Sequence, residues 1–216
     1  MKKFSKTVYA KRFLYFNLYV IKGNDGDILI DTGFLCMKRR IKRWLDKFNI
    51  KLIVLTHAHI DHIWNASYIK KMYNCDIAIS ENDVKNIDNS IINSIPSNKK
   101  HRLWTKVMNF GMKKLNAPKF KVDMLLRDNQ VIDKYGIKLK TVSLEGHTNG
   151  SMGFLYNKFL FVGDALVNRK RRMQIAYQNQ DNEKAKKSYK KILDLNPDII
   201  FLGHDREIFN DELLII

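Results

Sequence analysis

One stretch decides the fold, Thr56-His57-Ala58-His59-Ile60-Asp61-His62, and it follows the apolar run Leu52-Ile53-Val54-Leu55. The apolar run predicts a buried strand, and a strand delivers the side chains that follow it to the edge of a sheet. At that edge the first two histidines point the same way, whereas Asp61 and His62 begin a helical turn and face an adjacent position. Zinc and similar ions favour such a nitrogen-rich set, which a carboxylate can join. The stretch therefore predicts a metal site.

Candidate ligands also follow three later strands. Leu144 precedes His147, Val162 precedes Asp164 and Leu202 precedes His204, each within a few residues. A glycine comes directly before each of these ligands, which indicates backbone crowded around one point. If the strand ends converge, there are too many ligands for one tetrahedral zinc with a water, but they suit two metals sharing a carboxylate and a hydroxide. The candidate metal ligands are His57, His59, Asp61, His62, His147, Asp164 and His204.

The N-terminal third predicts a β-meander that enters a sheet. A strand is expected from Phe13 to Ile21, a turn from Gly23 to Gly26 and a second strand from Asp27 to Ile30. Apolar residues then recur at helical spacing from Met37 to Phe48, which predicts a helix that covers this sheet. After the histidine motif, the sequence predicts a further helix and a strand from Asp76 to Ser80.

Residues 83 to 118 interrupt the strand pattern and predict a helical insertion. One amphipathic helix is expected from Ile87 to Ile95 and another from Leu103 to Leu115. The pair either packs on the core or forms a flap over the metal edge, with Trp104 as part of an apolar wall. His101 lies in a polar run here and is expected at the surface rather than among the ligands.

The rest of the chain predicts more strands and one helix, and the whole of residues 1–216 is interpreted as a single α/β domain. The chain is 45% hydrophobic, which is enough to bury a full core, and no stretch has the composition of a linker. The expected strands are Val122 to Leu126, Val131 to Asp133, Ile137 to Leu144, Met152 to Tyr156, Phe159 to Gly163 and Asp198 to Leu202.

Charge and cysteine content bear on partners and location. The net charge is +17, but the excess is spread over many lysines, so nucleic acid is a weaker expectation than a small-molecule substrate. Only the cluster Arg169 to Arg172 lies near a candidate ligand, and it either contacts an anionic substrate group or belongs to a solvated loop. Cys36 and Cys75 form no ligand pair or disulfide framework. With no signal peptide or membrane span evident, a cytoplasmic protein is predicted; the oligomeric state is left open.

At these motifs the sequence resembles the metallo-β-lactamase fold superfamily, and the match spans nearly the whole chain. The resemblance implies a four-layer αβ/βα sandwich with the metals at one edge, and it places Asp31 near the site without making it a ligand. The matching segments, in family order, are Ile30-Asp31-Thr32-Gly33, His57 to His62, Gly146-His147-Thr148-Asn149-Gly150-Ser151, Gly163-Asp164-Ala165-Leu166 and Gly203-His204.

The resemblance also implies how the ligands divide between two metals. One metal is expected on His57, His59 and His147, the other on Asp61, His62 and His204, with Asp164 bridging them. Two zinc ions are the default, and iron or manganese suits the same mixed nitrogen and oxygen set. No organic cofactor is predicted. Asp61 is the predicted catalytic residue, orienting the attacking water or moving its proton while it remains a ligand.

The predicted function is dimetal hydrolysis of a small ester, thioester or lactone by a metal-bridging hydroxide. With an aspartate at position 164, the sequence resembles the glyoxalase II-like and lactonase-like branches. True β-lactamases usually lack an aspartate at that position. Val167 stands where acyl-lactonases often carry a tyrosine, which disfavours a lactone, and Trp64 stands where small residues are common. The alternatives are a phosphodiesterase or nuclease of the same superfamily and a non-catalytic metal-binding module.

Overall fold

The computed structural model describes residues 1–34, 37–87, 95–96, 118–169 and 172–213. Its first sheet has seven strands in the order β1-β2-β3-β4-β5-β6-β8. The first four strands pair antiparallel, whereas β4, β5, β6 and β8 run parallel. These strands are β1 Lys2–Lys3, β2 Val8–Phe13, β3 Phe16–Lys22, β4 Asp27–Ile30, β5 Ile50–Val54, β6 Asp76–Ser80 and β8 Met124–Leu126.

The second sheet has six strands in the order β17-β16-β12-β11-β10-β9. All neighbours are antiparallel except β12 and β16, which are parallel. The strands are β9 Val131–Lys134, β10 Ile137–Ser143, β11 Met152–Tyr156, β12 Phe159–Gly163, β16 Ile199–Leu202 and β17 Ile208–Phe209. Two small sheets are also found among the described residues, one of β13 Leu166–Arg169 with β14 Arg172–Ile175 and one of β7 Ile95–Pro96 with β15 Gln178–Asn179.

Three buried clusters separate four layers. Alternate side chains of both sheets, such as Ile28 and Phe161, pack face to face in the central cluster. The outer face of the first sheet is covered by Trp44 and its neighbours, and that of the second by Ile192. The helices are α1 Lys38–Leu45, α2 Ile60–Ile63, α3 Ala66–Tyr73, α4 Val84–Ile87, α5 Asn182–Asp194 and α6 Asn210–Leu213. The predicted αβ/βα sandwich is confirmed.

The strand predicted from Phe13 to Ile21 is present from Phe16 onward as β3, but the prediction is wrong for its first three residues. The chain turns at Leu14 and Tyr15, and β2 extends back to Val8 as the partner of β3. The turn lacks glycine, asparagine and proline, and Leu14 adopts a left-handed conformation with φ 51°, which a branched side chain rarely takes. The apolar run therefore hid a hairpin.

Only part of the predicted helical insertion at 83–118 is described. Residues 84–87 form the short helix α4, which overlaps the first predicted helix only at Ile87, and Ile95 lies in strand β7 and not in a helix. The second predicted helix, His101 and the flap with Trp104 lie outside the described residues. Cys36 also lies outside them. Among the described residues, no helix is both long and apolar enough to cross a membrane.

Candidate metal centre

The candidate site lies at the edge of the sandwich where five strands end. In the first sheet β4 and β5 are parallel, and in the second β10, β12 and β16 run in one direction, since β10 and β12 both oppose β11. Their carboxyl ends deliver Asp31, the segment His57 to His62, His147, Asp164 and His204 to neighbouring positions. Ligand sites at the carboxyl ends of parallel strands are a general feature of open α/β sheets.

Three imidazoles converge on one side of this edge. The Nε2 atom of His57 lies 3.0 Å from Nδ1 of His59, and Nε2 of His147 lies 2.9 Å from that same atom. Nitrogen ligands at the corners of a tetrahedral zinc ion lie about 3.3 Å apart, given the usual bond lengths. All three side chains are buried. The spacing and the exclusion of water fit a metal ion on three histidines.

The other group combines two imidazoles with a carboxylate. The Nε2 atoms of His62 and His204 lie 3.4 Å apart, and Asp61 Oδ2 lies 3.2 Å from the His204 nitrogen and 3.9 Å from the His62 nitrogen. His62 is buried, whereas the side chains of His204 and Asp61 retain 26% and 22% of their exposure. This side of the site therefore faces the solvent.

Asp164 lies between the two groups. Its Oδ2 atom is 3.0 Å from His204 Nε2 and 3.6 Å from His147 Nε2, and its Oδ1 atom is 3.4 Å from His62 Nε2. One carboxylate thus reaches a ligand of each group. That is the position required of a residue shared between two metals.

The structure brings all seven candidate ligands together. Their donor atoms form three sets, and within each set the atoms lie within 4.8 Å of one another. Two sets have the membership implied by the resemblance, and the third joins them through Asp164; that these residues bind metal stays a prediction. The sets are His57 with His59 and His147, His57 with His62 and Asp164, and Asp61 with His62 and His204.

Asp31 orients two of the imidazoles. Its Oδ2 atom lies 2.8 Å from His62 Nδ1, and both its oxygens accept from the Thr56 hydroxyl, which lies 3.0 Å from His57 Nδ1. With Nδ1 occupied in this way, Nε2 of each histidine is left to face the site. Asp31 reaches this position with a left-handed φ of 60°, which aspartate tolerates better than most residues. The structure thus places Asp31 beside the ligands, as expected.

His204 is oriented by the backbone of the β2–β3 turn. Its Nδ1 atom donates to the Tyr15 carbonyl at 2.8 Å, and the Tyr15 ring stacks on the imidazole with centroids 6.0 Å apart. This contact could not be predicted from the sequence, because both turn residues lie in the apolar run that predicts a strand from Phe13 to Ile21. Tyr15 remains 45% exposed and Leu14 62%, so the turn borders the open side of the site.

Electrostatics differ between the two groups. Burial lowers the pKa of His57 well below its usual value and that of His59 to about 3, so these imidazoles are neutral at pH 7, as ligation requires. Burial also acts to lower the pKa of His62, but Asp31, Asp164 and Asp61 outweigh it and raise that pKa to about 10. Negative charge is therefore concentrated around His62, a setting that stabilises a cation.

The glycines before the later ligands stand in crowded backbone, as their spacing indicates. A Cβ atom on Gly203 would lie 2.2 Å from Asp164 Oδ1, and one on Gly146 would lie 2.3 Å from the Ala185 backbone nitrogen. Gly146 also has a positive φ of 133°. The close approach of these strand ends therefore depends on the missing side chains.

A second buried carboxylate, Asp83, was not found from the sequence. It lies just after β6, a strand parallel to β5, and it is fully buried. It accepts hydrogen bonds from the Ala58 and Gly150 backbones and from the Thr148 hydroxyl. Its place at the end of a parallel strand of the same sheet was the available signal.

A family model described as the Metallo-beta-lactamase superfamily matches residues 13–204. The chain therefore belongs to the metallo-beta-lactamase superfamily, a class of metal-dependent hydrolases, and this prediction is confirmed.

Two similar proteins have names that describe hydrolases. A protein of Methanocaldococcus jannaschii named as a probable metallo-hydrolase is 30% identical over 153 residues, which cover 69% of this chain and 66% of the relative. The hydroxyacylglutathione hydrolase GloC of Haemophilus influenzae is 28% identical over 165 residues, covering 72% and 69% respectively. The matches thus span about two thirds of the relatives' length.

Solved structures agree in fold. BJP-1, a subclass B3 metallo-beta-lactamase of Bradyrhizobium japonicum, superposes with a TM-score of 0.72 at 21% identity, covering 94% of this chain and 76% of that one. TTHA1623 in a di-iron-bound form gives a TM-score of 0.70 at 19% identity, covering 96% of both chains. At these identities the likeness concerns the architecture alone.

Proposed function

We propose that the protein hydrolyses a small ester, thioester or lactone with two metal ions, zinc by default, and that a thioester is the best substrate. The observation that carries the proposal is the position of Asp164 between a three-histidine group and a mixed histidine and aspartate group. The hydroxyacylglutathione hydrolase among the relatives supports a thioester. Iron or manganese suits the same donors.

The metal ions and the side chains around them would have different roles in hydrolysis. When bound, two metal ions supply an acidified water and polarise the carbonyl of the substrate. Asp61, on the open side of the site, holds an oxygen 3.2 Å from His204, and it would orient the water and accept its proton. Asp31 and Tyr15 fix the imidazoles so that little reorganisation is needed during the reaction.

Cys75 gives no competing nucleophile. It is buried beneath α3, and burial raises the pKa of its thiol to about 11. A thiol of that pKa is almost wholly protonated at neutral pH and reacts poorly. A hydrolytic mechanism based on the histidine and aspartate cluster is therefore favoured.

The test is a panel of a thioester, an ester, a lactone and a model phosphodiester, assayed with metal-loaded protein. Thioester hydrolysis should be the fastest, and His57→Ala should eliminate it by removing a ligand of the three-histidine group. Cleavage of the phosphodiester alone would identify the nuclease-like alternative. Metal binding without turnover of any compound would identify a non-catalytic module.

Arg169 is the candidate contact for an anionic part of the substrate. It is exposed on β13, and its guanidinium lies 5.1 Å from the centre of the Tyr177 ring. The adjacent Asn168 amide donates to Asp205, next to His204, so β13 is tied to the open side of the site. Lys170 and Arg171, the middle of the predicted basic cluster, lie outside the described residues.

Replacing Arg169 with Gln should raise KM for an acidic thioester on the order of 10-fold, since a charge-assisted hydrogen bond is lost. We expect kcat, and KM for a neutral thioester, to change little. Arg127→Gln is the matched control, because Arg127 is an exposed arginine paired with Glu81 on another part of the surface. Equal KM changes for acidic and neutral substrates would contradict the assignment.

A further inference from the structure

Two loops carry the three-histidine group, and one carboxylate joins them. Ala58 lies between His57 and His59, and its backbone amide donates to Asp83 Oδ2 at 2.9 Å. The Thr148 hydroxyl, directly after His147, donates to the same oxygen at 2.9 Å. A single oxygen atom therefore holds the segments on both sides of this group in register.

The other oxygen of Asp83 completes the junction. It accepts from the Gly150 backbone at 3.1 Å and from the Asn86 side chain at 2.9 Å. A Cβ atom on Gly150 would lie 2.6 Å from the Asp83 backbone nitrogen and 2.7 Å from its carboxyl carbon, so this close approach depends on the glycine. Asp83 precedes α4, but three of its four donors belong to the metal-binding loops rather than to that helix.

The charge of Asp83 has no ordinary partner. Among the described residues, no lysine or arginine forms an ion pair with it, although it is fully buried. A buried carboxylate is costly unless hydrogen bonds and a nearby positive charge offset its desolvation. A cation held by the three histidines would supply that positive charge. Two of the hydrogen-bond donors to Asp83, Ala58 and Thr148, are adjacent in sequence to these histidines.

We propose that Asp83 is a positioning residue that sets the affinity of the three-histidine group for its metal, while the group of Asp61, His62 and His204 does not depend on it. This rests on the proposed two-metal site. The comparison with Asp31 supports the division, because Asp31 contacts His62 directly and Asp83 contacts the segments around His59 and His147.

The test measures metal content and cobalt absorption spectra of Asp83→Asn in two single-site backgrounds. In His204→Ala the three-histidine group remains. Adding Asp83→Asn to this variant should lower the affinity for its metal at least about 10-fold, as loss of a hydrogen bond that supports a ligand does, and less metal should be retained. In His147→Ala the other group remains, and Asp83→Asn should leave its metal and spectrum unchanged.

Asp27→Asn is the matched control, since Asp27 is also a buried carboxylate that accepts two backbone amides, from Gly23 and Asn49, but lies at the opposite end of β4. It should affect neither background. If Asp83→Asn does not fold, Thr148→Val replaces it. This variant removes one hydrogen-bond donor to Asp83 and should lower the affinity of the three-histidine group for its metal by a smaller factor. Equal retention in both backgrounds would overturn this inference alone, whereas wild-type protein that holds no metal would overturn the proposed function.

Discussion

Asp164→Asn is expected to lower kcat for a thioester on the order of 10³-fold, a loss comparable to removing a principal electrostatic contact of a transition state. The two oxygens of Asp164 lie 3.0 Å from His204, 3.4 Å from His62 and 3.6 Å from His147. Asparagine keeps the size of the side chain but removes its negative charge and one acceptor. It therefore removes the link between the groups with little change in packing.

Asp128→Asn provides the control for this measurement. Asp128 accepts the Ser143 amide and pairs with Lys191, so it is a structural carboxylate that touches none of the seven candidate ligands. Its variant should keep near-normal kcat. Retention of more than about one tenth of wild-type kcat by Asp164→Asn would be incompatible with a shared carboxylate in the mechanism.

The convergence of the seven candidate ligands could be predicted from the sequence because each of them follows an apolar strand within a few residues. The end of a buried strand is a local property, and parallel strands end at one edge, so the position of His147 or His204 needs no knowledge of the intervening chain. The glycines at 146 and 203 carry the same information, since only crowded backbone requires them. For these residues, sequence pattern and tertiary structure agree.

The role of Asp83 and the turn at Leu14 could not be predicted from the sequence. The Asp83 carboxylate meets Thr148 across 65 positions of sequence, and its place after strand β6 does not by itself distinguish it from a helix-capping aspartate. Leu14 adopts its left-handed conformation in a turn without turn residues, held by the pairing of β2 with β3 and by the contact of Tyr15 with His204. Both depend on long-range contacts that a local pattern does not encode.

The hairpin of β13 and β14 was missed for a related reason. Its segment, Leu166 to Ile175, is polar and basic in the middle and contains no glycine, proline or aspartate to mark a turn. The strands are defined by pairing with each other, from Leu166 opposite Ile175 to Arg169 opposite Arg172. Arg169 and Arg172, the outer members of the predicted basic cluster, therefore lie on paired strands.

Removing metal with a chelator should abolish hydrolysis and lower the melting temperature by about 5–10 °C relative to protein with excess metal. The physical reason lies in the buried groups of the site. Without a cation, the nitrogens of His57, His59 and His147 face one another at about 3 Å, and the carboxylates of Asp31, Asp61 and Asp164 all lie within 4 Å of the buried His62 imidazole. Such groups are costly to bury without partners, so a bound ion stabilises the folded state selectively.

The measurement compares thermal unfolding with chelator and with added zinc, iron or manganese, followed by recovery of thioester hydrolysis. The ion that restores both stability and turnover is the one the site is built for. The double variant His57→Ala with His204→Ala loses a ligand from each group, so its melting temperature should not respond to metal or chelator. A wild-type melting temperature that is equally unresponsive would mean that the converging histidines do not bind an ion, because any ligand that binds only the folded state must raise its stability.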